Sequence, residues 1–278
     1  MLRRTFLTVF LTVAAGLTLA GPPTYYPPAI GDFDGAADYL SRGSDLTGLA
    51  DSKTGILSLW MRIDGGDGET RYILRNNIHH FYLNLTTGNT FQVMGKDAVP
   101  AVKLQLTSTS TYTASASWLH VLVAYDMASA SHFYIDDIDI KNELALVDAA
   151  LDLTPAGWTI ADIAGGSVSP FNGAISELYF APNQYLDFSI ETNRRLFIDE
   201  SGYPVDLGPS GYKPTGTAPL VYMRTQFNNC GLNSGTGGDF VIQGAPAYTV
   251  GPVPFPHTTW APGQSRGRGG RGGRSRIK

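Results

Sequence analysis

Apolar residues recur at every second position in short stretches, and this period constrains the fold more than any other feature of the sequence. In 55–63 (GILSLWMRI), Leu57, Leu59, Met61 and Ile63 fall on one side, and Ser58, Trp60 and Arg62 on the other. That is the two-residue repeat of an extended strand. The same reading predicts strands over 71–74, 79–85, 90–94, 101–106, 117–125, 131–140, 158–163 and 174–180, then over 219–225 and 239–243. Between them stand turn formers: Asp64-Gly65-Gly66-Asp67-Gly68, Thr87-Gly88-Asn89, Asp136-Asp137 and Gly165-Gly166. These residues accept positive φ or bond their own backbone. Many short strands at such spacing predict an all-β antiparallel sandwich, and 32 Gly and 17 Pro in 278 residues argue against a helical bundle. One stretch departs from the pattern. Residues 189–198 (SIETNRRLFI) place Ser189 as an N-cap, Ile190, Arg194 and Phe197 at helical offsets, and Glu191 near the positive end of the helix dipole. One short helix near 189–199 follows.

The two ends of the chain read differently from its middle. Arg3 and Arg4 precede an uncharged apolar run over 6–20, shorter than the roughly 20 residues a membrane-spanning helix needs. Thr18 and Ala20 place small residues where a signal peptidase cuts before Gly21, so residues 1–20 read as a signal peptide. Arg3-Arg4-Thr5-Phe6-Leu7 resembles the core of a twin-arginine signal, though Leu2 and Thr8 flank it; Sec export fits equally well. A Pro-rich lead over 21–30 follows, then one domain over 31–250, then a Pro/Gly/Arg-rich basic tail over 251–278 expected to be disordered. All 24 acidic residues and 12 of the 20 basic ones fall between 21 and 265, while the last 13 residues hold Arg266, Arg268, Arg271, Arg274, Arg276 and Lys278. An acidic body of this kind repels nucleic acid, so any such contact falls to the tail. Cys230 is the only cysteine, which excludes an intrachain disulfide and a cysteine zinc site.

Four segments, in order, resemble the laminin G-like branch of the concanavalin A-like lectin/glucanase superfamily. They are Asp32-Phe33-Asp34-Gly35 running into Asp38-Tyr39-Leu40; the Trp60 strand; Trp118-Leu119-His120 through Tyr125-Asp126 with His132-Phe133-Tyr134-Ile135-Asp136; and Phe171-Asn172-Gly173 through Glu177-Leu178-Tyr179. The resemblance covers about 32–200 and implies a jelly-roll sandwich of two curved antiparallel sheets. Its flavour is that of bacterial and phage proteins.

The superfamily includes glycoside hydrolases, which need paired carboxylates. The nearest approach to the glucanase pattern is Asp137-Ile-Asp139-Ile-Lys-Asn-Glu143, with the wrong first acid, too long a last spacing, and Asp137 in the expected hairpin turn. No catalytic residue is assigned. Asp64, Asp67 and Glu69 offer the oxygen donors calcium favours, and some family members use calcium. Their spacing lacks an EF-hand register and reads as a solvated turn, so no metal or cofactor is assigned. His79 and His80 are adjacent and, on a strand, face opposite ways; His120 reads as a structural histidine. No residue pattern marks a nucleophile. Tyr72, Tyr82, Tyr112 and Tyr125 serve equally as core or as sugar platforms, so the ligand-binding residues stay unassigned.

These observations lead to a non-enzymatic, exported binding or adhesion module that recognises a glycan or a surface protein. Two other readings remain: a phage virion structural or decoration protein whose basic tail touches nucleic acid or a neighbouring subunit, and a glycoside hydrolase.

Overall fold

The computed structural model describes residue 25 and residues 27–162, 169–224 and 229–252. The signal segment over 1–20, the turn at Gly165-Gly166 and the tail beyond Pro252 lie outside the described residues.

Among the described residues, fifteen strands and one helical turn follow in chain order. The first six strands are β1 (Ala29–Asp34), β2 (Tyr39–Arg42), β3 (Thr54–Ile63), β4 (Arg71–Arg75), β5 (Phe81–Leu85) and β6 (Thr90–Lys96). Then come β7 (Val102–Thr111), β8 (Leu119–Asp126), β9 (Ala130–Ile135), β10 (Ile138–Asp139), β11 (Lys141–Leu146) and β12 (Trp158–Ile160). β13 (Asn172–Pro182), α1 (Glu191–Arg194), β14 (Val221–Met223) and β15 (Val241–Gln243) complete the order. A seven-stranded sheet runs β1-β13-β3-β8-β9-β10, with β14 also on β13; an eight-stranded sheet runs β11-β7-β6-β5-β4-β12-β2-β15. Every pairing is antiparallel. This is the all-β, two-sheet jelly roll expected from the sequence.

The period-2 pattern explains the layers. Leu57, Leu59, Met61 and Ile63 point between the sheets and meet Phe81, Leu83, Phe91, Val93, Leu104 and Leu106 of the facing sheet. At the centre, Phe81, Trp158 and Phe180 stack within 5.0–6.1 Å of one another. Each buried ring of this kind contributes about 1.5–3 kcal/mol. The other side of β3 is also buried. Ile56, Leu122, Tyr134, Tyr179 and Tyr222 on the outside of the seven-stranded sheet are covered by Phe188, Phe197 and Leu207 from the segment after β13. Glycine at 173 is required by geometry: its φ is +148°, and an added Cβ would lie 2.0 Å from the Arg62 carbonyl oxygen.

Some expectations shift. The Asp136-Asp137 turn forms as read, with both residues at positive φ (50° and 65°), the geometry of a two-residue hairpin. Consequently 131–140 divides into β9 and β10, and a further edge strand, β11, follows directly. The strand expected over 79–85 begins only at Phe81, because the Asn76 side chain accepts from His80 N and folds 76–80 into a turn, with His79 at φ 57°. The helix is a single turn. Its N-cap is Ile190 rather than Ser189, without a side-chain cap bond. The Ser189 hydroxyl donates instead to Asp187 Oδ1 at 2.6 Å, which also accepts Ser189 N.

Candidate functional site

On the eight-stranded sheet, register places side chains in rows on the face turned away from the core. Arg75 pairs with Tyr82, Tyr82 with Met94 and Met94 with Gln105; beside that row run Tyr72, Asn84, Gln92 and Thr107. No carboxylate stands in these rows. Tyr72 and Tyr82 meet edge to face at 5.4 Å, and His79 stacks on Tyr72 at 5.4 Å, nearly parallel. His79 also meets the edge of Tyr82 at 6.2 Å. The turn that displaced His79 from the strand is what brings its ring to this ledge. Beneath it the buried Arg75 guanidinium lies 5.4 Å from the Tyr72 centroid, contacts His79 Nε2, and donates to the Asn77 carbonyl at 2.8 Å. Arg75 therefore positions the rings from below.

The electrostatics keep the three rings uncharged above the Arg75 guanidinium. Burial pushes the Tyr82 phenol up to about 12 and raises Tyr72 as well. Burial, with the nearby charges of Arg75 and Lys96, lowers His79 and favours an uncharged ring. Asn84, buried between Tyr72 and Gln92, has an amide oxygen with no hydrogen-bond partner. Flat neutral rings flanked by amides and hydroxyls suit a hydroxyl-rich ring that stacks through its C–H face and bonds through its edges.

The loop over 64–69 is built differently. Asp64 takes two bonds of 2.7 Å from Arg62, which also reaches Asp32 at 3.2 Å and stacks on Trp118 at 5.7 Å. Asp67 accepts Ala114 N with both oxygens at 3.1 Å and pairs with the buried Arg71. Arg71 also donates to the Gly65 carbonyl and to Asn89 Oδ1. Both aspartates are thus committed to arginines and backbone, and this set does not fit a calcium ion. Among the described residues no three His, Cys, Asp or Glu side chains converge to hold a metal. A cleft of about 310 Å³ beside this loop is lined by Gly35, Gly66, Glu69, Thr70, Arg71 and Asn172, among others.

The other candidates separate. Asp137, at the hairpin tip, bonds Arg194 and Arg195; Asp139 follows on β10; Glu143, on the other sheet, bonds Ser131 and Lys141. They do not alternate along one strand, as a glucanase triad would. His80 pairs with Asp152 at 2.7 Å, away from His79. His120 contacts Ser58 Oγ at 2.9 Å and stacks on Trp60. Burial lowers it to about 3, so the ring is neutral, and its Nδ1 has no acid partner. Ser58 and His120 are 2% and 1% exposed, which bars a substrate. Tyr125 is core, and Tyr112 packs against the core. Sequence reading left Asn84, Gln92, Gln105 and Thr107 unnamed. The available signal was register: period-2 positions paired across neighbouring strands with Tyr72 and Tyr82.

With this geometry in place, the family follows. The chain belongs to the concanavalin A-like lectin/glucanases superfamily, whose laminin G-type family model matches residues 34–183. Among solved structures it resembles a protein of Bacteroides ovatus ATCC 8483 assigned as carbohydrate-binding, at 16% identity and a TM-score of 0.56, over 82% of this chain and 62% of that one. The chain therefore spans less than two thirds of that relative's length. It also resembles an SAP-like pentraxin from Limulus polyphemus, at 12% identity and a TM-score of 0.46, over 79% of this chain and 93% of the other. No curated protein matches the sequence. No helix among the described residues is long and apolar enough to cross a membrane.

Proposed function

We propose that this protein is an exported, non-catalytic glycan-binding module that holds its ligand on the outer face of the eight-stranded sheet. The observation that carries the reading is the neutral ledge of Tyr72, His79 and Tyr82, continued by Asn84, Gln92, Gln105 and Thr107. One sugar ring stacks on the tyrosines, and its neighbours along the chain meet the amide and hydroxyl rows. The half-buried Gln92, Gln105 and Thr107 side chains supply the amide and hydroxyl contacts, while the buried Asn84 packs beneath them. The separated acids and the sealed Ser58–His120 pair support binding without bond cleavage. Export rests on the signal-like residues 1–20. A glycan array probed with the chain from Gly21 onward, in calcium and in chelator, tests this: the reading predicts the same bound glycans in both. Binding confined to calcium, or release of reducing sugar from a bound glycan, contradicts it.

A further inference from the structure

Away from the ledge, one carboxyl lies in the body of the seven-stranded sheet. Glu177 is 2% exposed, has φ +49°, and sits in a bulge of β13. Its position in the topology is singular. On one side β13 pairs with β3 along most of its length; on the other it pairs with β1 over Asn172–Ser176 and with β14 over Leu178–Phe180. Glu177 stands at the seam where those two strands meet end to end.

The chain that enters β1 and the strand β14 itself both converge on this carboxyl. Tyr25 donates to its Oε1 at 2.9 Å, and Tyr222 donates to its Oε2 at 2.5 Å. Ser176 Oγ, the next residue back, donates to the Pro28 carbonyl at 2.5 Å. Arg224 stacks against both phenol rings, 6.0 Å from Tyr25 and 5.7 Å from Tyr222, but spends a guanidinium bond on the Gly208 carbonyl. Among the described residues it makes no ion pair with Glu177. Asp206, on the adjoining loop, adds like charge.

We infer that the Tyr25–Glu177–Tyr222 contact is a proton-operated clasp, shut over the β1–β14 seam while Glu177 holds its proton and loosened when that carboxyl ionises. Two phenols and a remote guanidinium do not replace the water that burial removes. Burial therefore outweighs the hydrogen bonds from Tyr222 and Tyr25, and Glu177 is pushed up to about 7. In the shut form one of the two contacts reverses, the carboxyl O–H donating to a phenol oxygen while the other phenol still donates to the carboxyl, and the proton is held more tightly than in water, where the ordinary value is 4.5. Opening thus becomes easier as pH rises between those values.

Hydrogen exchange tests this, read on the amides of Ala29–Phe33 and of Leu178 and Tyr179, with each rate divided by its intrinsic value at pH 5 and at pH 8.5. The clasp predicts an opening constant that rises on the order of 70-fold over that range, and less than twofold in Glu177→Gln, whose amide oxygen accepts from one phenol and whose amide NH2 donates to the other, without a charge. A rise of equal size in Glu177→Gln overturns the inference, as does a flat wild type. Should the glutamine variant fail to fold, the Glu177 carboxyl ¹³C resonance of the wild type decides. A titration midpoint near 7 supports the clasp, and a midpoint at or below 4.5 refutes it.

Discussion

Replacing Arg71 with methionine tests how the loop over 64–69 is held. Arg71 is 1% exposed, yet its guanidinium serves three acceptors: the Gly65 carbonyl at 2.9 Å, Asp67 Oδ1 at 3.1 Å and Asn89 Oδ1 at 2.7 Å. Two effects oppose each other. Removing the cation relieves a buried charge, whose cost shows in the lowered Arg71 value. It also deletes three charge-assisted bonds, each worth about 1.5–3 kcal/mol. Asp67 is about a third exposed and regains water, and Asn89 Oδ1 keeps its bond from Gly68 N at 3.0 Å. The Gly65 carbonyl is the group left without its partner. The net expectation is a loss of about 3 kcal/mol, seen as a lower urea midpoint with unchanged slope. Faster exchange should appear at Gly68 and Glu69. Asp67→Asn, at the exposed end of the pair, should cost about 1 kcal/mol or less. An Arg71→Met variant within about 0.5 kcal/mol of wild type would show that the loop is held by its backbone alone.

Two further expectations follow from the same geometry. Burial works against ionisation of Asp137, but hydrogen bonds from Arg195 and Arg194 outweigh it and hold the carboxyl below its ordinary 3.8. The stability it lends is present above that value and fades as pH falls through the lowered one. Asp137→Asn should therefore destabilise by about 1 kcal/mol at pH 7, and the difference from wild type in thermal unfolding should shrink steadily as pH falls below 3.8. Cys230 is buried, and burial pushes its thiol up. A thiol reagent at pH 7.5 should label it only with the kinetics of unfolding; immediate labelling would place the sulfur at the surface.

The period-2 signal in 55–63 and the Asp136-Asp137 hairpin were legible because each follows from local chemistry: a repeat of two, and two residues that accept positive φ. The outer layer was not legible. Phe188, Phe197 and Leu207 stand in a stretch without strand period, and only the apolar outside of the seven-stranded sheet gives them a partner. β11 was missed for a related reason. KNELAL is an exposed edge strand, so no buried face imposes alternation on it. The ledge was half legible. Tyr72 and Tyr82 were named from the sequence, but His79 reaches them through a turn closed by Asn76, and the amide rows exist only once four strands are in register. Glu177 was visible as a residue and invisible as a site, since Tyr25, ahead of β1, and Tyr222, in β14, reach it from segments far apart in the chain.

Affinity for an array-selected glycan, measured by calorimetry on wild type and on the Tyr72→Ala/Tyr82→Ala variant, tests the central claim most directly. Each ring is worth about 1 kcal/mol of stacking, so the double variant should bind roughly 30-fold more weakly while its urea midpoint shows that the sandwich is intact. Unchanged affinity in a folded double variant would move the ligand off this sheet face and contradict the account.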